Sequence, residues 1–289
     1  MKIGLAAVLR DPVDLLDWAR RADAGPFARI GVNDRIVYDS PEIVVMVAAM
    51  AAVTTRIQVQ TEVLLAPQRE PVLLAKQVAT LDRLSGGRFT LGLAVGARLD
   101  DFQAVGADHA RRGRILDEQL ATMRRIWAGE PLSDEVGPIG PAPIRAGGPE
   151  ILFGGFTPTA LARVARWGDG FICSAMPDQA KPMFEMVQQS WQETGRDGRP
   201  LLIGQVSTAL GSESIVDEAR TAALDYYDFM GDYGKQIANG MLTSANDIRD
   251  TIARYEDLGA DEVVLGCWST DIGQVDRLAD LVGEVAGVR

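Results

Sequence analysis

The chain has 289 residues, of which 47% are hydrophobic and 24% charged, a balance typical of a globular protein that folds in water. Its formal net charge of −11 argues against binding to nucleic acids and to anionic membrane surfaces. A single histidine excludes a multi-histidine metal site, and no apolar run reaches the roughly 18 residues of a membrane span. We therefore expect a cytoplasmic protein without a metal, whose two cysteines are free thiols.

Strand patterns alternate with amphipathic helix patterns along the chain. The predicted strands are residues 2–8, 29–32, 57–64, 89–95, 150–153, 170–174, 201–210 and 262–266. Eight strands, each followed by a helix, predict an α/β fold of the (β/α)8 TIM-barrel type, built as one domain over residues 1–289. We expect insertions after strands 4 and 7, the first an irregular stretch at 100–108 and the second a Gly-rich connection between two helices.

Residues 129–149 are rich in glycine and proline and show little periodicity. Two interpretations fit this stretch equally well. It is either a surface excursion or a lid over the mouth of the barrel.

The stretch LDRLSGGRFTLGLAVG, residues 81–96, combines a helix end, a tight glycine turn and a strand buried on both faces. It resembles the signature of the bacterial luciferase-like oxidoreductase family, whose members use FMN or the deazaflavin coenzyme F420. The segments ATMRRIWAGEP, GGFTPTALARVARWGDGF and YEDLGADEVVL are similar to family segments in the same order. The resemblance implies a flavin- or F420-dependent oxidoreductase, and the short chain without extended insertions is more similar to the F420-using members.

Candidate cofactor residues follow the strands, because TIM-barrel active sites lie at the C-terminal ends of the strands. The turn from Gly154 to Thr157 can bind a phosphate at a helix N-terminus, although an ordinary strand-to-helix turn explains the same residues. The resemblance implies the phosphate site there and in the strand that follows. The full set of predicted cofactor residues is Thr61, Glu62, Val63, Gly96, Ala97, Arg98, Gly154, Gly155, Phe156, Thr157, Cys173 and Ser174.

Glu62 lies in an apolar strand, where a carboxylate is costly unless it is paired or faces a cavity. The resemblance implies that a bulge with a non-prolyl cis peptide supports the cofactor ring near this point. The bond between Glu62 and Val63 is the corresponding position in this chain.

Asp34 and Arg35 follow strand two, where many relatives carry an Asp-His or Asp-Arg pair. An ion pair that caps a helix is the alternative interpretation. We expect proton transfer to involve Asp34, Glu62, Tyr38, a water or the substrate itself. Arg35 is expected to hold a substrate anion or polarise an oxygen. The unique histidine, His109, is expected to be structural or on the surface.

Two classes of function remain open from the sequence. The first is hydride transfer to or from a small organic substrate, or its monooxygenation, with F420 or FMN bound at the barrel mouth. The second is a redox-inactive barrel that binds a ligand or acts as a lyase or isomerase. Two residues favour the redox-inactive class. They are Glu62 and Ala97, and Ala97 lies where some F420-dependent relatives carry an acidic residue.

The resemblance also implies partners for the chain. We expect a homodimer, with the apolar helices at 41–53 and 71–84 as the candidate interface, although packing of these helices against the barrel explains the same pattern. A flavin or F420 reductase is a further expected partner.

Overall fold

Short, largely apolar segments without proline form the strands, and helices follow them along the chain. The structure is a computed structural model and describes residues 1–8 and 10–285. The strands are Lys2–Ala7 (β1), Arg29–Val32 (β2), Gln58–Thr61 (β3), Leu64–Leu65 (β4), Phe89–Ala94 (β5), Glu150–Gly154 (β6), Gly170–Ser174 (β7), Leu201–Thr208 (β8) and Glu262–Cys267 (β9). Neighbouring strands pair in parallel in the order β3-β2-β1-β9-β8-β7-β6-β5-β4, and pairing of β3 with β5 closes the ring. This ring is the predicted (β/α)8 barrel, with β3 and β4 together as its third strand.

Proline in the first turn begins several of the helices, where its missing N–H costs no hydrogen bond. The helices are Pro12–Ala24 (α1), Ile43–Val53 (α2), Pro71–Leu84 (α3), Leu99–Val105 (α4), Arg112–Trp127 (α5), Pro158–Trp167 (α6), Pro177–Glu193 (α7), Glu213–Tyr227 (α8), Asp232–Asn239 (α9), Ala245–Asp257 (α10) and Gly273–Val285 (α11). None of the helices in the described ranges is both long and apolar enough to cross a membrane.

Both predicted insertions are present, and both are more regular than expected. The stretch after the fourth barrel strand forms α4, which ends at Gly106 in the left-handed conformation (φ 69°). The connection after the seventh strand contains a 3-10 turn, Asp228–Met230, and then α9.

The third barrel strand is interrupted between Thr61 and Leu64, whereas the sequence predicted one continuous strand. The carbonyl group of Thr61 turns toward Gly92 on β5. A Cβ atom at Gly92 would lie 2.0 Å from the Thr61 oxygen, so glycine is required at this position. The Thr61 hydroxyl donates a hydrogen bond of 2.7 Å to the Gly92 carbonyl and holds the two strands together.

Residues 129–149 pack at the N-terminal end of the barrel, so the lid interpretation is wrong and the surface excursion is correct. The segment leads from the end of α5 to the start of β6, and both of these points lie opposite the mouth. The backbone N–H of Ile144 donates to Asp82 near the end of α3 at 2.6 Å. Arg145 pairs with Asp169, just before β7, at 2.9 Å.

The barrel interior has an apolar and a polar side, because alternate residues of each strand point inward. The apolar side is a separate buried cluster of Ala6, Leu152, Ile172, Ile203 and Val264. The polar side is centred on the buried guanidinium of Arg29, which pairs with Glu262 at 2.8 Å. Arg29 also donates to the side chain of Gln60, which in turn donates to Glu62. The polar side thus runs from the start of the strands up to the break in the third strand.

Candidate active site

The break in the third strand lies at the barrel mouth and contains a cis peptide bond between Glu62 and Val63. This is the bond that the resemblance indicated. The side chain of Val63 lies beside Gly154 at the end of β6, since a Cβ atom at Gly154 would be 3.6 Å from both terminal carbons of Val63. Val63, at the predicted support for the cofactor ring, is therefore in contact with Gly154, the first residue of the predicted phosphate turn.

The turn after β6 packs closely against the first turn of helix α6. A Cβ atom at Gly155 would lie 2.6 Å from the Cβ of Ala160, so a larger residue would displace α6. Thr157 caps α6, and its side chain accepts a hydrogen bond of 3.3 Å from the Ala160 N–H. Phe156 is 53% exposed. The first turn of a helix presents N–H groups and a positive dipole end, which together suit an anion.

The loop after β5 borders the same mouth. Gly96 has φ 80°, a conformation that favours glycine. The Ala97 carbonyl lies 3.2 Å from the Nε2 of His109, whose ring packs edge-on against Phe102, so the histidine is structural as expected. The guanidinium of Arg98 is engaged by Asp100 and lies over the ring of Phe229.

Gln68 is a buried polar residue beside this loop that the sequence did not single out as a site residue. A Cβ atom at Gly96 would lie 3.3 Å from the Gln68 amide nitrogen. Both amide atoms of Gln68 lack a hydrogen-bond partner among the described residues, although the residue is only 7% exposed. Buried amides are normally satisfied, so this side chain is available to a ligand or to water.

Cys173 and Ser174 are adjacent but face opposite sides of β7. Ser174 is exposed at the mouth, as predicted for a residue near the cofactor. Cys173 is fully buried in the layer between the barrel and the helices, and burial raises the pKa of its thiol to about 12. Because neighbouring residues of a strand alternate, only Ser174 of this pair lies at the mouth.

A neutral polar cleft lies at the mouth between β7, β8 and α9. Its space amounts to about 620 Å³ when the part open to solvent is included. Its polar lining residues are Ser174, Gln179, Gln205, Ser207, Tyr233 and Gln236. Gln205 and Ser207 were not predicted from the sequence, although their alternation along β8 is the signal that puts both on the inner face.

Asp34 is buried and is held by the chain that follows the cis peptide. One carboxylate oxygen accepts from Arg69 at 2.9 Å, and the other accepts from the backbone N–H of Leu65 at 2.8 Å. Burial raises the pKa of Asp34, while the neighbouring Arg69 opposes this increase. Asp34 therefore fixes the position of the bulge.

Arg35 pairs with Asp101 at 3.2 Å rather than with Asp34, so the interpretation of these neighbours as a helix-capping ion pair is wrong. Its remaining N–H groups donate to the carbonyls of Tyr226 and Val37. The guanidinium also lies over the aromatic rings of Tyr226 and Tyr38, at 4.9 and 5.2 Å from their centres. With these partners, Arg35 connects the loop after β2 to α4 and α8.

Glu62 points into the barrel beneath the mouth. A Cβ atom at Gly31 would lie 2.8 Å from one Glu62 oxygen, so the glycine makes room for this carboxyl group. That oxygen accepts from Gln60, and the other has no partner among the described residues. Burial raises the pKa of Glu62 from 4.5 to about 7, and the nearby Arg29 only partly opposes this.

The profile of the luciferase-like monooxygenase family matches residues 4–285. The chain belongs to this family. This luciferase-like protein is 32% identical over 166 residues to an uncharacterised protein of Mycobacterium tuberculosis, with 55% of the chain and 59% of that protein covered. The chain thus spans about three fifths of the length of this relative.

Two further luciferase-like comparisons cover more of the chain. The pyrimidine monooxygenase of Escherichia coli O127:H6 is 27% identical over 271 residues, which cover 84% of the chain and 70% of that enzyme. The structure of an F420-dependent secondary alcohol dehydrogenase with an F420–acetone adduct has a TM-score of 0.79 at 18% identity and covers 99% of both chains. This structural likeness shows the shared fold.

Proposed function

We propose that this luciferase-like protein is an oxidoreductase that binds F420 or FMN at the barrel mouth and acts on a small organic substrate. The observation that carries the proposal is the contact between the cis bulge at Val63 and the glycine turn at Gly154. The apolar side chain of Val63 thus lies beside the turn that begins α6, as would suit a planar ring with an anionic tail. The monooxygenase and F420-dependent relatives support the same class of reaction.

The residues at the mouth fit such a cofactor. A Cβ atom at Gly154 would be only in ordinary contact with Val63, at 3.6 Å, and the cleft beside Ser174 offers neutral hydrogen-bonding groups. When bound, F420 or FMN supplies the hydride, and FMN in addition supplies activation of oxygen.

The chain itself would bind and orient the cofactor and exclude water. Val63 would pack against the ring, the first turn of α6 at Thr157 would bind the phosphate, and Ser174 and Gln205 would donate or accept hydrogen bonds. Helix α9 covers the mouth at β7 and β8 and would limit the access of water.

Glu62 is the titratable residue of the bulge itself. Because its pKa is about 7, its unpartnered oxygen would hold a proton in acidic solution and release it in basic solution. Asp34 and Arg35 would act as positioning residues, since their partners are already within the protein.

Titration of the protein with F420 and with FMN, followed by absorbance spectroscopy, tests the proposal. We expect a saturable spectral shift with one of them. Turnover of the chemically reduced cofactor with and without oxygen then separates monooxygenation from hydride transfer, and chemical reduction replaces the expected reductase partner. Binding of neither cofactor would contradict the proposal and favour the redox-inactive alternative.

A further inference from the structure

An aromatic cleft lies between the ends of β1, β2 and β9 and helix α8. Its space amounts to about 580 Å³ when the part open to solvent is included. Tyr38, Tyr226 and Trp268 form its aromatic wall, with centre-to-centre distances of 5.1 Å for Tyr38–Tyr226 and 5.3 Å for Tyr226–Trp268. Val8, Pro41 and Met46 complete an apolar lining. Such a wall suits a flat apolar molecule.

Two buried polar atoms of this cleft have no hydrogen-bond partner among the described residues. They are the side-chain oxygen of Asn33 and the hydroxyl oxygen of Ser40. Buried polar atoms in native proteins are nearly always paired, so these two are available to a ligand.

The charges near the cleft are already neutralised within the protein. Arg10, which lines the cleft, donates to Asp225 at 2.8 Å and to the Tyr38 hydroxyl at 3.2 Å. Arg35, behind the aromatic wall, is paired with Asp101. A carboxylate or phosphate in this cleft would therefore lose its water without gaining a free cation.

We propose that the aromatic cleft binds a neutral aromatic alcohol, as the hydroxyl-bearing part of the substrate. The aromatic wall would contact its ring. The hydroxyl group of the ligand would pair with both polar atoms of the cleft, because a hydroxyl can donate to the Asn33 oxygen and accept from Ser40. The identity of this ligand as the substrate rests on the proposed function. The binding of an aromatic alcohol in the cleft does not.

Three probes with the same ring test the chemistry: benzyl alcohol, toluene and benzoate. Their binding to the cofactor-free protein is measured by calorimetry or by ligand-observed NMR. We expect benzyl alcohol to bind about tenfold more tightly than either toluene, which leaves Asn33 and Ser40 unpaired, or benzoate, which brings an uncompensated charge. Equal affinities for all three, or tightest binding of benzoate, would overturn the proposal.

Two variants locate the binding site. Ser40→Ala and Asn33→Leu should each weaken benzyl alcohol at least about fivefold and leave toluene unchanged. Ser214→Ala, on the exposed face of α8, is the matched control. If Asn33→Leu does not fold, as judged by its thermal transition, Ser40→Ala decides alone. Wild-type affinity for benzyl alcohol in Ser40→Ala would contradict the assignment.

The outcomes separate this proposal from the proposed function. Binding of benzyl alcohol without binding of F420 or FMN would support the cleft and contradict the oxidoreductase. Binding of a cofactor without selective binding of benzyl alcohol would support the oxidoreductase and contradict the proposal for the cleft.

Discussion

Val63 and Gly154 lie against each other across the third and fifth strands of the barrel, with 3.6 Å between both terminal carbons of the valine and a Cβ position at the glycine. This distance is an ordinary van der Waals contact, so an alanine at Gly154 fits. A longer side chain would extend into the space between the bulge and the α6 turn, where we propose that the cofactor binds.

We therefore expect Gly154→Ala to bind F420 or FMN within about twofold of the wild type, and Gly154→Leu to lose more than about tenfold in affinity. Absorbance titration measures both, and the thermal transition of each variant shows whether it is folded. Wild-type cofactor affinity in a folded Gly154→Leu variant would place the ring elsewhere.

The pair formed by Asp34 and Arg69 is buried and should contribute to stability. Replacing Asp34 with Asn leaves Arg69 with a weaker partner and should lower the free energy of unfolding by about 2 to 4 kcal/mol. Glu42→Gln removes the second, 43% exposed partner of Arg69 and should cost less than about 1 kcal/mol. Urea denaturation measures both, and equal losses in the two variants would contradict the buried position of Asp34.

Glu62 should make the protein less stable as the pH rises. Its folded pKa of about 7 is higher than its usual 4.5, so between these values the folded protein binds more protons than the unfolded chain. The free energy of unfolding should fall by on the order of 3 kcal/mol across this range and then level off.

The Glu62→Gln variant tests this dependence, because its side chain does not titrate. The stability difference between the variant and the wild type should shift in favour of the variant between about pH 5 and pH 8. Glu185→Gln, at a carboxylate that is 59% exposed, should follow the wild type. Parallel pH profiles for Glu62→Gln and the wild type would show that Glu62 is ionised in the folded protein.

Neither cysteine should react with an aromatic disulfide reagent in the folded protein. Cys173 and Cys267 are fully buried, and burial raises the pKa of each thiol to about 12. Both should react once the protein is unfolded in guanidinium. Rapid reaction of Cys173 in the folded state, assigned by mass spectrometry, would contradict its buried position and show that it is accessible at the mouth.

The homodimer implied by the family resemblance stays a prediction that α2 and α3 can test. Val45 on α2 is 65% exposed and Leu73 on α3 is 56% exposed, which is unusual for apolar residues of these helices. We expect a dimer by light scattering, and a monomer when both residues are replaced with Lys. Met186→Lys on α7 is the control. A dimer that persists in the double variant would move the interface to another face.

The barrel could be predicted from the sequence because its strands are short apolar runs separated by amphipathic helices. The break in the third strand could not be derived from the residue pattern. The break depends on the space left by Gly31 on β2 and Gly92 on β5, the two strands that flank the third barrel strand. Only the family resemblance indicated the bond between Glu62 and Val63.

The candidate site was predicted in outline, since the turn from Gly154 to Thr157 and the loop at Gly96 both lie at the mouth. The partners of the polar residues were not predictable. Asp34 pairs with a residue 35 positions away and Arg35 with one 66 positions away, and both pairings depend on loop conformations. Strand alternation turns the side chain of Cys173 away from the mouth, to which its neighbour Ser174 is exposed.

The excursion at residues 129–149 has a practical consequence for experiments on this protein. It joins helix α5 to strand β6 at the end of the barrel that carries no proposed chemistry, and its tip around residues 133–137 is exposed. A fluorophore or a surface tether attached to this tip would leave the opposite opening free. Immobilised protein could then be exposed to successive ligands while its working face points to the solution.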